Sequence, residues 1–214
     1  LGGGPTASGI SVTPTSALKL AAVWACVRVI SEDVASLPLI TYRRLGRGKE
    51  RALGHRIYRL LHDEPNPYMT AMGFRETLQG HLLTWGNAYA NIERDDGGQP
   101  LALWPLRPDR MDSPVISEAG TLLYRYTLPS GEACWLSQHE VLHLRGLSPD
   151  GLMGYSPINQ HREAIALALA TEEFGARFFS NDSRPGGVLQ TGKRLSTETA
   201  DRLRVAWQAA HQGL

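Results

Sequence analysis

Three side chains in the sequence have the types and the spacing of a zinc-peptidase site. His139, Glu140 and His143 match the pattern H-E-x-x-H. On a helix the two imidazoles would share one face and bind Zn²⁺, and the glutamate would activate a water molecule. Glu163 follows on a predicted helix, where some zinc peptidases place a third metal ligand. One hypothesis is therefore a zinc-dependent hydrolase.

The elements around this pattern do not favour the sustained helix that such a zinc site needs. Residues 129–135 have the composition of a β-hairpin, and Gly146 and Pro149 come closely behind the second histidine. Residues 141–144 are predicted to form a short strand. Successive side chains of a strand point to opposite faces, so the helical projection of the two histidines is lost.

The same segment has a better explanation as a turn. Ser137 and Glu140 have the spacing of a capping box, which predicts one helical turn before the strand. We therefore reject His139, His143 and Glu163 as metal ligands. We expect no cofactor and a protein that is not an enzyme.

Composition and charge are those of an ordinary globular protein, with 42% hydrophobic and 20% charged residues among 214. The formal net charge of +1 argues against a high-affinity DNA clamp, which would be strongly basic. It does not argue against a surface along which DNA passes. Lys19 and Arg28 interrupt the most apolar stretch near the start, so no membrane span is predicted. Cys26 and Cys134 lie in apolar settings without C-x-x-C spacing, which predicts buried free thiols.

The first part of the chain is predicted to be mostly helical. Residues 1–15, rich in Gly, Ser, Thr and Pro, are expected to form a flexible N-terminal arm. Apolar residues at helical spacing then predict a helix that Ser16 caps and Pro38 ends. The further elements predicted up to Trp85 are a basic hairpin over 39–53, a short helix over 57–61 and a helix capped by Thr70.

The middle of the chain is predicted to be rich in β-strands. Turn residues at 95–98 and 129–131 separate apolar runs and predict two hairpins. Their strands are 87–94 with 101–106, and 122–128 with 132–136. The short strand at 141–144 comes next.

After Gly154 the pattern becomes helical again. Ser156 as N-cap and Pro157 in the first turn predict a long helix to about residue 181. A Pro-Gly-Gly turn at 185–187 and a short strand at 188–190 come after it. Ser196 is predicted to cap a last helix over 197–212. The whole pattern predicts an α+β fold.

Several ordered segments resemble one known family. Residues 148–158 read SPDGLMGYSPI, residues 164–179 form an Ala-rich helix that ends in an aromatic pair, and residues 184–189 read RPGGVL. This series is similar to portal proteins of tailed bacteriophages, of the Hong Kong 97 type. The N-terminal half agrees through weaker matches at 22–39, 60–67, 86–89 and 105–108.

The resemblance implies a ring of twelve copies at one vertex of a viral capsid. Double-stranded DNA would enter through such a ring during packaging and leave through it at infection. The implied partners are further copies of the chain, the terminase large subunit, head–tail connector proteins and the capsid or scaffold, with no membrane. The implied locations are the virion and, during assembly, the bacterial host cytoplasm.

The family's domains map onto this chain in order. The resemblance implies a wing-like α+β domain at 16–155, a stem-type helix at 156–182 and the start of an α/β clip at 183–214. We expect the chain to be a fragment that lacks the remainder of the clip, a second stem helix and a crown. The alternative to a viral portal is a non-viral structural or adaptor protein of portal-like fold.

Five basic residues of the stem and clip regions are the candidates for contact with DNA or with a neighbouring subunit. They are Arg162, Arg177, Arg184, Lys193 and Arg194.

Overall fold

A computed structural model describes residues 6–180, 192 and 195–211 of the chain. The helices are α1 (Pro14–Ala17), α2 (Ala21–Ser36), α3 (Arg56–Tyr58), α4 (Ala71–Trp85), α5 (Pro157–Gln160), α6 (Arg162–Ser180) and α7 (Thr197–His211). A π-helical turn spans Arg59–Asp63 and a 3-10 turn spans Pro108–Arg110. The strands are β1 (Tyr42–Arg44), β2 (Lys49–Arg51), β3 (Asn87–Arg94), β4 (Pro100–Leu106), β5 (Val115–Ile116), β6 (Leu122–Thr127), β7 (Ala133–Ser137) and β8 (Val141–Arg145).

Strand β3 lies at the centre of the fold because both of its edges are paired. It pairs antiparallel with β4 on one side and with β8 on the other. A second antiparallel sheet has the order β5-β6-β7, and β1 and β2 form a separate two-stranded ribbon. The predicted hairpins and the α+β class are confirmed. Strand β5, which is only two residues long, was not predicted.

Alternation along β3 places it between two hydrophobic cores. Ala88 and Ala90 face one way, into a core shared with Phe74 and Leu78 of α4. Tyr89 faces the other way, into a core formed with the β5-β6-β7 sheet; its other buried members are Met111, Leu122, Tyr124, Tyr126 and Val141. The β4-β3-β8 sheet is therefore covered by helix on one face and by a second sheet on the other.

The first helix differs from the prediction. The chain forms α1 and α2 in place of one helix from Ser16, and the cap lies earlier, at Thr13. Ser16 N–H donates to Thr13 Oγ1 over 3.1 Å, and Thr13 N–H donates to Ser16 Oγ over 2.8 Å. Ser16 thus occupies the N3 position of a reciprocal capping box whose N-cap is Thr13, whereas it was predicted to be the cap itself.

The described part of the predicted arm packs against α5 and α6. Val12 is 4% exposed and lies in a third core with Ala17, Ile158, Ile165 and Ala166. Residues 6–15 are therefore held by tertiary contacts, in contrast to the flexibility expected for this segment. The domain boundaries stay a prediction.

The long helix begins at the predicted cap and is interrupted once. Ser156 Oγ accepts a hydrogen bond from Asn159 N–H at 3.1 Å. His161, with φ −106° and ψ 18°, leaves the helical region and separates α5 from α6. The predicted turn at 185–187 and strand at 188–190 lie outside the described residues. Helix α7 begins after Ser196, whose Oγ accepts from Thr199 N–H as the capping pattern predicts.

Two further observations concern the surface. Cys26 is exposed on α2 and Cys134 is half-buried, so the prediction of two buried thiols was wrong for Cys26. None of the helices in the described ranges has both the length and the apolar character that crossing a bilayer requires.

Candidate functional site

Glu140, the general base of the zinc hypothesis, is used by a turn. It lies between β7 and β8, and its carboxylate accepts a hydrogen bond from Ser137 N–H at 2.8 Å while its own N–H donates to Ser137 O at 3.0 Å. The hydrogen bonds from Ser137 hold the pKa of the Glu140 carboxyl below its usual range. The Glu140 half of the predicted capping box is present, but the segment forms a hydrogen-bonded turn that leads into β8, in place of the predicted helical turn.

His143 lies in β8, and both of its ring nitrogens are occupied. Nε2 is 3.0 Å from Asn87 Oδ1, and Nδ1 is 3.2 Å from the Tyr124 hydroxyl. The ring stacks on Tyr89 with centroids 4.3 Å apart. The Asn87 side-chain atom that faces His143 also accepts a hydrogen bond from Gly154 N–H, so this atom is the amide oxygen. His143 therefore donates a hydrogen bond from Nε2 to Asn87 and accepts one at Nδ1 from the Tyr124 hydroxyl. Burial lowers the pKa of His143 to about 4 and keeps the ring neutral.

Glu163, the candidate third ligand, lies on α6. Its carboxylate accepts a hydrogen bond from Ala7 N–H at 3.1 Å and so helps to hold the N-terminal segment. Within residues 6–180, 192 and 195–211, no three His, Cys, Asp or Glu side chains are grouped so that they could hold a metal ion. His143 therefore packs between β3 and β6, Glu140 closes a turn, and Glu163 contacts the N-terminal segment.

Asn87 connects β3 to the loop that precedes α5. Its Nδ2 donates to Gly154 O at 2.9 Å and to Trp85 O at 3.3 Å, while Oδ1 accepts from Gly154 N–H at 2.8 Å. Ser156 Oγ adds a bond of 2.7 Å to Thr84 O. The first residue of β3, the end of α4 and the loop that leads into α5 are thus joined by direct hydrogen bonds.

Three glycines allow these backbone segments to approach closely: Gly86, Gly146 and Gly154. We call the contact among them the sheet–helix junction. Gly86 caps α4 in the left-handed conformation, with φ 76°. A Cβ on Gly86 would lie 2.0 Å from Tyr155 O, and one on Gly154 would lie 2.1 Å from Gly86 O. Gly146 N–H donates to Gly86 O over 2.8 Å. Only glycine lets these backbones come so close.

The D-G-x-x-G loop ahead of the junction is closed on itself. Asp150 Oδ1 accepts from Leu152 N–H at 2.8 Å and Met153 N–H at 3.0 Å, which lowers the pKa of the Asp150 carboxyl. Gly151 has φ 74°, so it supplies the left-handed turn residue. The motif therefore shapes the loop that leads into α5, and its hydrogen bonds leave Asp150 with a structural role.

Helix α6 packs on one face in its first half and is uncovered in its second half. Ile165 and Ala166 are buried, whereas from Thr171 to Ser180 every residue except Gly175 is exposed. Phe174, Phe178 and Phe179 are 72%, 40% and 74% exposed, with the rings of 174 and 178 stacked at 6.3 Å. We call these three residues the phenylalanine patch. Sequence reasoning missed it because helical spacing of apolar residues predicts a core-facing stripe.

The two basic candidates within the described residues both lie on α6. Arg162 and Arg177 are 15 positions apart, so they are displaced by about 60° around the helix and about 22 Å along it. Arg177 pairs with Glu173 one turn earlier, and Arg162 Nε is 3.9 Å from Glu163 Oε1. The helix thus aligns these two along one side. Arg184, Lys193 and Arg194 lie outside the described residues.

These observations define an α+β protein whose long helix α6 packs against the rest of the fold in its first half and carries an exposed apolar patch in its second half. Comparison with known proteins places it further. Residues 21–214 match the family model described as phage portal protein. The chain is 35% identical over 190 residues to the portal protein of Enterobacteria phage HK97, and 34% identical over 223 residues to a probable portal protein of Streptomyces phage phiC31. These alignments cover 88% and 99% of this chain, and 44% and 48% of the relatives.

A solved structure also has a fold similar to that of this chain. The neck of an empty gene transfer agent particle contains a chain that matches with a TM-score of 0.68 and 26% identity, over 94% of this chain and 56% of that one. This chain therefore belongs to the phage portal protein family. It spans about half the length of the relatives it matches.

Proposed function

We propose that this chain supplies the wing (16–155), the stem-type helix (156–182) and the start of the clip (183–214) of a portal ring at a capsid vertex. Double-stranded DNA is packaged and ejected through the ring. The observation that carries the proposal is the uncovered half of α6, with its phenylalanine patch, in a chain of the portal family. The role is structural, and the chain performs no catalysis.

The uncovered surface supports assembly because exposed apolar patches mark interaction sites. Closed rings form through heterologous contacts, in which one face of a subunit meets a different face of its neighbour. The second half of α6 offers such a face beside a polar side that carries Glu173 and Arg177. The matched gene transfer agent neck was computed with sixfold symmetry, with which a ring of twelve subunits is compatible.

The proposed partners follow from the position of such a ring. They are other copies of the chain, the terminase large subunit, head–tail connector proteins and the capsid or scaffold. The proposed locations are the virion and the bacterial host cytoplasm during assembly. The matched relatives, a portal protein and a probable portal protein of two phages, support this assignment.

Electron microscopy of the full-length protein tests the ring and the role of the patch together. Wild-type protein is expected to form rings with a central hole. The double variant F174S/F179S is expected to stay folded and to lose the rings, since both side chains are more than 70% exposed and contribute little to the isolated subunit. The matched control Y68S/L147S changes two side chains that are 86% and 83% exposed, outside α6, and should keep the rings. Rings formed by F174S/F179S as by wild type would contradict the proposal.

The basic candidates need a separate test. We propose that Arg162 and Arg177, with Arg184, Lys193 and Arg194, approach DNA or the adjacent subunit. Replacing each with glutamine should alter DNA packaging or its dependence on salt, because each phosphate contact adds salt-dependent affinity. Packaging that is unchanged in yield and in salt response would refute the assignment.

A further inference from the structure

The ribbon formed by β1 and β2 separates its charges onto two faces. The register pairs Tyr42 with Arg51, Arg43 with Glu50 and Arg44 with Lys49. Directly opposed residues project from the same face, and neighbours along a strand alternate between faces. One face therefore carries Tyr42, Arg44, Lys49 and Arg51, and the other carries Arg43 and Glu50. We call the first the basic face.

The two faces differ in how their charges are balanced. Arg43 Nη1 lies 3.6 Å from Glu50 Oε1, so the second face is internally neutral. On the basic face, Lys49 Nζ lies 4.4 Å from the centre of the Tyr42 ring. Arg44 and Arg51 have no ion pair among the residues that the structure describes. The basic face thus holds three cations and no carboxylate, and every residue from 42 to 51 is exposed.

Hairpin stability does not explain this arrangement. Arg44 and Lys49 are directly opposed, and like charges in that position destabilise a strand pair. Arg47, exposed in the connecting turn, adds a further cation nearby. An anionic partner bound at this face would relieve the repulsion.

We propose that the basic face binds the phosphate backbone of double-stranded DNA without reading its sequence. Protein–DNA interfaces are more polar and more positively charged than protein–protein interfaces, whose centres are apolar and depleted of lysine. The basic face has one aromatic ring and otherwise only cations. The planar guanidinium groups of Arg44 and Arg51 can each donate two hydrogen bonds to the oxygens of a phosphate group. This proposal does not depend on ring formation.

The contact is weak and strongly salt-dependent. Three neutralised phosphates give a slope of about −2.7 for log K against log salt concentration. Raising salt about fourfold should therefore weaken binding about 40-fold. Such a contact positions DNA transiently, and it agrees with a chain whose formal net charge is only +1.

The test is fluorescence anisotropy of the 214-residue chain with a labelled duplex of random sequence, about 20 base pairs long, over salt concentrations from about 20 to about 150 mM. The variant R44Q/R51Q removes two cations of the basic face. The matched control R28Q/R43Q also removes two positive charges, but from side chains that pair with Glu32 at 3.7 Å and Glu50 at 3.6 Å. Unchanged circular dichroism establishes that both variants are folded.

We expect R44Q/R51Q to reduce the slope by about 2 and to weaken binding at least about tenfold at the lowest salt. The control should change the slope by less than about 1. Equal losses in both variants would show that net charge alone acts, and would overturn the proposal. Polyglutamate serves as a second probe, a model of an acidic protein. If R44Q/R51Q still bound the duplex but no longer bound polyglutamate, the partner of the basic face would be an acidic protein and the proposal would be wrong. F174S/F179S should bind the duplex normally, which separates this proposal from ring formation.

Discussion

Replacing a glycine of the sheet–helix junction by alanine should lower the free energy of unfolding more than the same replacement in an open turn. In Gly154→Ala, the new Cβ would lie 2.1 Å from Gly86 O and 2.8 Å from Gly146 N. Both neighbours are backbone atoms that hydrogen-bond to each other over 2.8 Å, so no flexible side chain can move aside. The junction must separate to accept one methyl group.

The magnitude follows from separating the steric effect from the backbone effect. Gly154 is not in the left-handed region, so Gly154→Ala measures the steric clash alone. The expected loss in the free energy of unfolding is about 1–3 kcal/mol from overpacking, plus about 1 kcal/mol for each of one or two lost hydrogen bonds. Gly98, with φ 76° and nothing within 4 Å of its Cβ position, reports the backbone effect of about 1–2 kcal/mol. Gly86, also at φ 76°, combines both. The expected loss of stability is therefore greatest for Gly86→Ala, then Gly154→Ala, then Gly98→Ala.

Urea unfolding of the three variants and the wild type, followed by circular dichroism, gives these free energies from the transition midpoints. Gly98→Ala is the matched control because it adds the same methyl group without a clash. If Gly154→Ala were as stable as Gly98→Ala or more stable, the result would contradict the close approach of the backbones at the junction. An order in which Gly98→Ala is the most damaging would refute the separation of the two effects.

Three further predictions concern side chains that hold the fold. Because burial lowers the pKa of His143 to about 4, the unfolded chain binds a proton below about pH 6.5 that the folded chain does not. Stability should fall by about 1–3 kcal/mol as pH drops from about 6.5 to about 4, after allowance for partial exposure, and H143Q should flatten that part of the pH profile. Asn87→Ala should destabilise by about 2–4 kcal/mol in urea, and Asn91→Ala on the same strand by less than about 1 kcal/mol. Arg75→Gln should lower the melting temperature, because its guanidinium donates to Ala35 O at 2.8 Å and Leu61 O at 2.9 Å, which ties α2 to α4.

Elements with strong local signals were predicted well from the sequence. Thr70 caps α4 as expected, with Gly73 N–H at 3.1 Å from its Oγ1, and the turn around Gly98 joins β3 to β4. Elements that depend on tertiary contact were missed. Strand β5 exists through two pairs with β6, and the break at His161 occurs at a residue that carries no helix-breaking signal.

The candidate site shows the same limit more sharply. The H-E-x-x-H pattern describes only sequence spacing, while the fold places His143 against Asn87 and Tyr124 and uses Glu140 in a turn. Exposure is also invisible to periodicity. The apolar residues of α2 recur at helical spacing, yet Ser31 and Ala35 are its only buried residues, and Cys26, predicted to be buried, is exposed.

Net charge predicted part of the electrostatics, and the fold explains the rest. A formal charge of +1 excludes a strongly basic surface over the whole chain, but it says nothing about how the charges are distributed. Many arginines are neutralised by neighbours, as Arg125 is by Asp112 at 2.8 Å and Arg177 by Glu173. The strand register leaves Arg44 and Arg51 without such partners among the described residues and puts them on one face. A chain of almost zero net charge can therefore still carry one local surface that attracts a polyanion weakly.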